Sequence, residues 1–230
     1  MKSILEQSQL ERDKELAVLI NKPLDYIFSL PIAKPDSIRI FNEKEKVPEN
    51  LESLYSNYKY MNFDAYLRTL MFTSIKRRHP ELFILLKTTR NKKCLDFGSG
   101  VGTHAIALLE NDNDITILDV PSKLFDFAIK RIQNRGYSFE SLSNRDNLPN
   151  NYYDVIICTN VLEHCQNPMN ELKRITKSLK SNGIIHLQVS NMIKISSGHF
   201  AESIIQWKKF GNNYLNKYYK KLGETLWQKI

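Results

Sequence analysis

Cysteine is scarce in this 230-residue chain: Cys94, Cys158 and Cys165 are the three present, with no Cys-x-x-Cys pair and no histidine spacing suited to zinc. A disulfide-stapled scaffold and a zinc ribbon are thereby excluded, and the three read as reduced core thiols of a cytoplasmic protein with no metal. Uninterrupted apolar runs of membrane-spanning length are missing as well, so no membrane partner is expected. The first residues meet an acid at Glu6 before any long apolar stretch forms, which reads as a chain without a secretion signal. Internal repeats and low-complexity linkers are lacking, which excludes solenoids and fibrous chains. Acidic charge is in deficit, 25 Asp and Glu against 33 Lys and Arg, for a net charge of +8. Part of the excess gathers in Lys76-Arg77-Arg78-His79 with Lys87, Arg90, Lys92 and Lys93. That cluster reads either as a solvated helix face or as a patch for an acidic partner such as nucleic acid.

What is present is an organised chain long enough to bury one sizeable core. Residues 1–90 read as mostly helical, with segments at 6–20 and 51–79 and a proline interruption at 31–35. Aromatics at Tyr55, Tyr58, Tyr60, Phe63 and Tyr66 recur about every three positions, as a buried helix face or a lid over a planar ligand would. From residue 93 strands alternate with helices: strands over 94–97, 115–119, 137–142, 153–159 and 184–189, helices over 101–110, 122–134 and 168–180. The alternation predicts an α/β fold with a doubly wound, mostly parallel sheet. Gly183 is expected to stop the last of those helices. Beyond 190 the pattern fades: 200–210 reads as helix, and 213–230 has no clean period. The sheet there is expected to be shortened or completed by another chain, unless short, lysine-decorated edge strands escape this kind of reading.

The chemistry begins at Asp96-Phe97-Gly98-Ser99-Gly100-Val101-Gly102, which follows an apolar run and opens a helical one. Strand, tight glycine turn and helix in that order make a cofactor-binding turn, since glycine lets the backbone take positive φ and approach a ligand closely. The nicotinamide pattern Gly-x-Gly-x-x-Gly is broken, because the third glycine comes one place early and Thr103 fills its slot. Asp96, at the strand end, would repel a pyrophosphate but favour a ligand with positive charge. A second strand ends at Asp119, where a carboxylate can accept hydrogen bonds from two ribose hydroxyls.

These residues resemble the class I S-adenosylmethionine-dependent methyltransferases. The segment from Leu148-Pro149 through Tyr153-Asp154 to Val161-Leu162-Glu163-His164 is similar to the small-molecule branch, which includes the ubiquinone-pathway O-methyltransferases. The resemblance spans about residues 90–190 with three motifs in order. It implies a Rossmann-like sheet over 91–230 behind a helical cap, 1–90, that recognises substrate, with S-adenosyl-L-methionine as cofactor. It further implies that Phe97, Gly98, Ser99 and Gly100 surround the methionine portion, with Asp96 near its amino group. Asp119, with Val120 beside it, would hold the ribose; Asn144 or Asp146 would meet the adenine; Asn160 would face the cleft. His164 is the candidate base for an acceptor hydroxyl, with a structural Glu-His pair as the other reading. His104, in the first helical turn, is expected to be a neutral polar contact. Methylation of a small-molecule acceptor at oxygen is therefore expected. The alternatives are a nucleic-acid methyltransferase, or a non-catalytic subunit meeting an oligomeric partner through its C-terminal segment.

Overall fold

A computed structural model describes residues 3–32, 63–72, 79–189 and 199–230. Seven strands form one sheet in the order β3-β2-β1-β4-β5-β7-β6: β1 (Lys93–Phe97), β2 (Asp114–Asp119), β3 (Glu140–Ser143), β4 (Tyr153–Thr159), β5 (Leu179–Gln188), β6 (Tyr219–Lys221) and β7 (Leu226–Lys229). The first five pair in parallel, and β7 runs antiparallel to both β5 and β6. Helices cover both faces, as the apolar strands demand: β1 and β4 are buried along nearly their whole length. The expected doubly wound sheet is observed.

Local signals place the helices. Ser8 and Glu11 form a reciprocal capping box that starts α1 (Gln9–Ile20), and Asn21 ends it in the left-handed region at φ 54°. Helix α2 is Leu24–Ser29, α3 is Phe63–Phe72 and α4 is Pro80–Thr88, with proline in its first turn. Helix α5 (Thr103–Leu109) leaves directly from Gly102, α6 (Lys123–Gln133) is capped by the Ser122 side chain, and α7 (Pro168–Ser178) by Asn167. Helix α8 (Ala201–Gln206) runs through a π-helical segment, Trp207–Gly211, into α9 (Asn212–Tyr218). The helical segment expected over 51–79 lies partly outside the described residues, as do Tyr55, Tyr58, Tyr60 and Lys76 to Arg78; α3 and His79, the residue that precedes α4, are its described parts. Of the aromatic stripe, Tyr66 is buried and Phe63 packs at the edge of the same cluster.

Two expectations are corrected. Gly183 does not stop a helix: α7 ends at Ser178, Leu179 is already extended, and Gly183 lies inside β5, where a Cβ would come within 2.7 Å of Leu179. The C-terminus does not shorten the sheet, and within this one chain β7 and β6 complete it. Those strands are four and three residues long, and α9 passes into β6 with no turn between. Neither offers enough alternation to read, yet Tyr219 and Trp227 point inward and are buried.

The N-terminal helices are fastened to the sheet domain by ions as well as by apolar contact. Arg131 of α6 is 1% exposed, pairs with Glu15 of α1 at 3.0 Å, and donates to the Val101 carbonyl and the Thr103 hydroxyl. Arg135 holds the same Glu15 carboxylate at 2.8 Å. Burial alone would raise the Glu15 pKa, but the two guanidiniums outweigh it and hold the carboxyl below its ordinary range. A second buried pair, Arg68 with Asp13 at 2.8 Å, joins α3 to α1. Among the described residues no helix is long and apolar enough to cross a membrane.

Candidate active site

The strand order reverses between β1 and β4, and ligands of doubly wound sheets bind beyond the carboxyl ends of the strands at that point. The glycine turn lies there. Gly98, Gly100 and Gly102 have φ of 79°, 54° and 74°. A Cβ on Gly98 would stand 2.3 Å from Val161 Cγ2, so the protein's own packing requires glycine at that position. A Cβ on Gly100 would meet nothing within 4 Å, so that glycine borders open space.

Asp119 organises the turn. Its Oδ2 accepts from the Gly100 N–H at 2.9 Å and its Oδ1 from the Val120 N–H at 2.8 Å. Burial raises its pKa to about 6; those two hydrogen bonds oppose the shift, and the nearby charge of Asp96 adds to it. Asp96 is 1% exposed and accepts from the Ala105 N–H at 3.1 Å through Oδ2. Its Oδ1 finds no hydrogen bond among the described residues, with His104 Nδ1 at 3.5 Å. Ser99 Oγ is buried without a partner in the same turn, and Asn144 Oδ1 likewise at the end of β3. Unsatisfied buried polar atoms are costly and uncommon, so three around one crevice mark a place shaped for a polar ligand.

The other expected residues take various positions. Asn144 donates its backbone N–H to the Asp119 carbonyl at 3.0 Å, which sets it beside the end of β2. Asp146 instead turns back on its own loop, accepting from the Ser143 N–H at 2.6 Å, and is exposed. Its carboxyl is held below the ordinary range, chiefly by hydrogen bonds from Ser143. Phe97 is buried with the Arg174 guanidinium 5.9 Å from its ring centre. Asn160, with φ 56°, donates its N–H to the Gln188 carbonyl at 2.9 Å and so ties the end of β4 to that of β5. His164 closes a 3-10 turn, Leu162–His164, and its ring lies 4.8 Å from that of His199. Glu163, His164 and His199 each offer one ligand atom within 4.8 Å of the others, an arrangement that could hold a divalent cation.

With the geometry in place, comparison decides the family. A methyltransferase-domain model matches residues 63–220. The chain belongs to that family. As a methyltransferase domain it takes S-adenosylmethionine as cofactor, and the residues fit: two carboxylates at the tips of β1 and β2, open space at Gly100, and unsatisfied polar atoms between. The methyltransferase domain is 27% identical over 131 residues to a ubiquinone biosynthesis O-methyltransferase of Rickettsia canadensis, covering 55% of this chain and 56% of that protein. It is 28% identical over 153 residues to an uncharacterised protein of Methanocaldococcus jannaschii, covering 64% of each. The chain thus spans less than two thirds of these curated relatives. The solved cyclase SpnF superposes with a TM-score of 0.50 at 18% identity over 65% of this chain and 60% of that one, which shows the shared fold.

Several residues in the site had no local signal in the sequence. Thr159, His186, Thr225 and Glu81 are joined by hydrogen bonds on one face of the sheet, with Gln188 the register partner of Thr159, and the His199 ring lies beside that of His164. The thiols take no part: Cys94, Cys158 and Cys165 are free and buried, and burial raises all three well above the ordinary thiol range.

Proposed function

We propose that this domain transfers the cofactor's methyl group to a hydroxyl of a small molecule. The observation that supports the reading most is the Val161-Leu162-Glu163-His164 segment set directly after β4, beside the crevice, where an imidazole can assist removal of a hydroxyl proton. The likeness to an enzyme named for O-methylation supports the same acceptor class. The cofactor, when bound, supplies an electrophilic methyl carbon. The protein's part is then to align the acceptor oxygen, exclude water and receive a proton. In this reading Asp119 accepts from the ribose hydroxyls, Asp96 compensates the charge of the methionine ammonium, and His164 serves the acceptor.

The test is transfer of labelled methyl from S-adenosylmethionine to a panel of phenols, catechols and hydroxy acids, with total RNA as a separate arm. A methylated phenol or alcohol is expected. Label entering RNA alone, or no label transferred by a chain that binds S-adenosylhomocysteine, overturns the acceptor assignment. His164→Ala is expected to lower turnover at least tenfold while leaving S-adenosylhomocysteine affinity unchanged, and intact turnover removes His164 from the mechanism.

A further inference from the structure

Side chains on one face of the sheet form a hydrogen-bonded chain that runs from the protein surface to the tip of β4. Asp96, Ile157 and His186 are register partners across β1, β4 and β5, and Thr159 and Gln188 are partners two residues further on. All five therefore share a face. His186 is fully buried, and both of its ring nitrogens are engaged: Nδ1 with Thr159 Oγ1 at 2.9 Å, Nε2 with Thr225 Oγ1 at 3.0 Å. Thr225 Oγ1 lies 2.8 Å from Glu81 Oε2, and the same carboxylate accepts the Glu224 and Thr225 N–H groups.

Proton inventory fixes the direction of every bond in this chain. An ionised carboxylate can only accept, so the single Thr225 hydroxyl proton goes to Glu81. The Thr225 oxygen must then accept from His186, which places the imidazole proton on Nε2. Burial, with the neighbouring His104 and His79, pushes the His186 pKa down to about 3 against the opposing charge of Glu81, so the ring is neutral and its Nδ1 is a bare lone pair. Thr159 must donate to that lone pair. Its proton is thereby spent inward, and its oxygen keeps only lone pairs, with no donor to them among the described residues. Beside it stands Gln188, whose Oε1 is buried with no hydrogen-bond partner among the described residues. Two acceptor oxygens at adjacent strand tips lack a donor.

We propose that Thr159 and Gln188 form the subsite that receives the hydroxyl of the methyl acceptor, with Thr159 locked as a hydrogen-bond acceptor by the chain through His186 and Thr225 to Glu81. This deepens the acceptor reading above and rests on it. The two are positioning residues: they hold the acceptor before transfer by accepting its O–H, with a lone pair of its oxygen facing the methyl carbon, and because neither oxygen can keep that proton, it passes to His164 as the methyl is transferred. An ether or a tertiary amine, with no donor, gains nothing from such a pair, so the subsite also selects between acceptor classes.

The chain is testable without any acceptor. Long-range proton–nitrogen NMR of the protein saturated with S-adenosylhomocysteine is expected to show His186 neutral and protonated on Nε2 from pH 5 to 9. Thr225→Val is expected to disturb that pattern and Thr225→Ser to restore it. An Nδ1–H tautomer, or an imidazolium at neutral pH, overturns the proposal. With an acceptor from the panel, Thr159→Val and Gln188→Leu are each expected to raise its KM about tenfold with a smaller change in kcat and no change in S-adenosylhomocysteine affinity. Weakened S-adenosylhomocysteine binding instead assigns the two oxygens to the cofactor's ammonium and overturns the acceptor subsite, as does an unchanged KM. If the panel yields no acceptor, the functional reading fails while the NMR result still decides the tautomer.

Discussion

At the scale of single residues, Asp119 carries the clearest pH dependence. Its folded pKa is about 6 against an ordinary 3.8, so between those values the folded protein holds a proton that the unfolded chain has released. Its contribution to the stability of the cofactor-free protein is therefore present at low pH and lost as pH rises toward 6. With Asp119 in the ribose-binding role proposed above, cofactor binding has the opposite sign, because hydroxyls donate to the carboxylate and not to the acid. S-adenosylhomocysteine affinity measured by calorimetry is expected to rise as pH increases through about 6 and then level off, and Asp119→Asn to be weak and flat throughout. The two glycines of the turn separate packing from binding. Gly98→Ala sets a Cβ 2.3 Å from Val161 at φ 79° and is expected to cost about 2 kcal/mol or more in denaturant unfolding. Gly100→Ala meets no protein atom within 4 Å, so it is expected to cost about 1 kcal/mol of stability while weakening S-adenosylhomocysteine binding more strongly.

At the scale of elements, the joint between α1 and α6 has the highest stake. Glu15 is the shared partner of Arg131 and Arg135, and removing one member of a buried ion pair leaves charge without compensation. Glu15→Ala is expected to destabilise by about 3 kcal/mol, and cofactor affinity should fall with it because Arg131 also holds the Val101 carbonyl and Thr103 of the turn. Replacement of both Glu15 and Arg131 by apolar residues should recover much of the stability but not the affinity. Strand β7 offers a second test. Trp227→Ala removes a buried ring from β7, the strand between β5 and β6, and is expected to cost about 3 kcal/mol by the same unfolding measurement. A loss below 1 kcal/mol there would mean that the edge pair is not part of the cooperative unit.

At the scale of the whole molecule, binding and folding are linked because the turn, the cap helices and α6 share one core cluster, in which Val101 packs with Leu16, Tyr66 and Leu124. S-adenosylhomocysteine at one hundred times its dissociation constant should add about 2.7 kcal/mol to the unfolding free energy. Much of this molecule is legible along the chain. The β1 turn, the acidic end of β2 and the run from Leu148 to His164 are local patterns in which neighbouring residues do neighbouring jobs, so spacing alone exposes them. The start of α7 at Pro168 and both ends of β4 fall where proline, apolar periodicity and the aspartate-led strand place them.

Composition and periodicity sufficed for the class of fold, the glycine turn and the two carboxylates, because each depends on backbone conformation and burial within a few residues. That Asp146 turns back on its own loop follows from how that short loop hydrogen-bonds, and completion of the sheet follows from Tyr219 and Trp227 finding partners on β7 and β5. The grouping of Glu81, Thr159, His186 and Thr225 rests on contacts between positions up to 144 residues apart. Such contacts exist when helix and strand packing brings distant side chains within 3 Å, and no spacing along the chain encodes that distance.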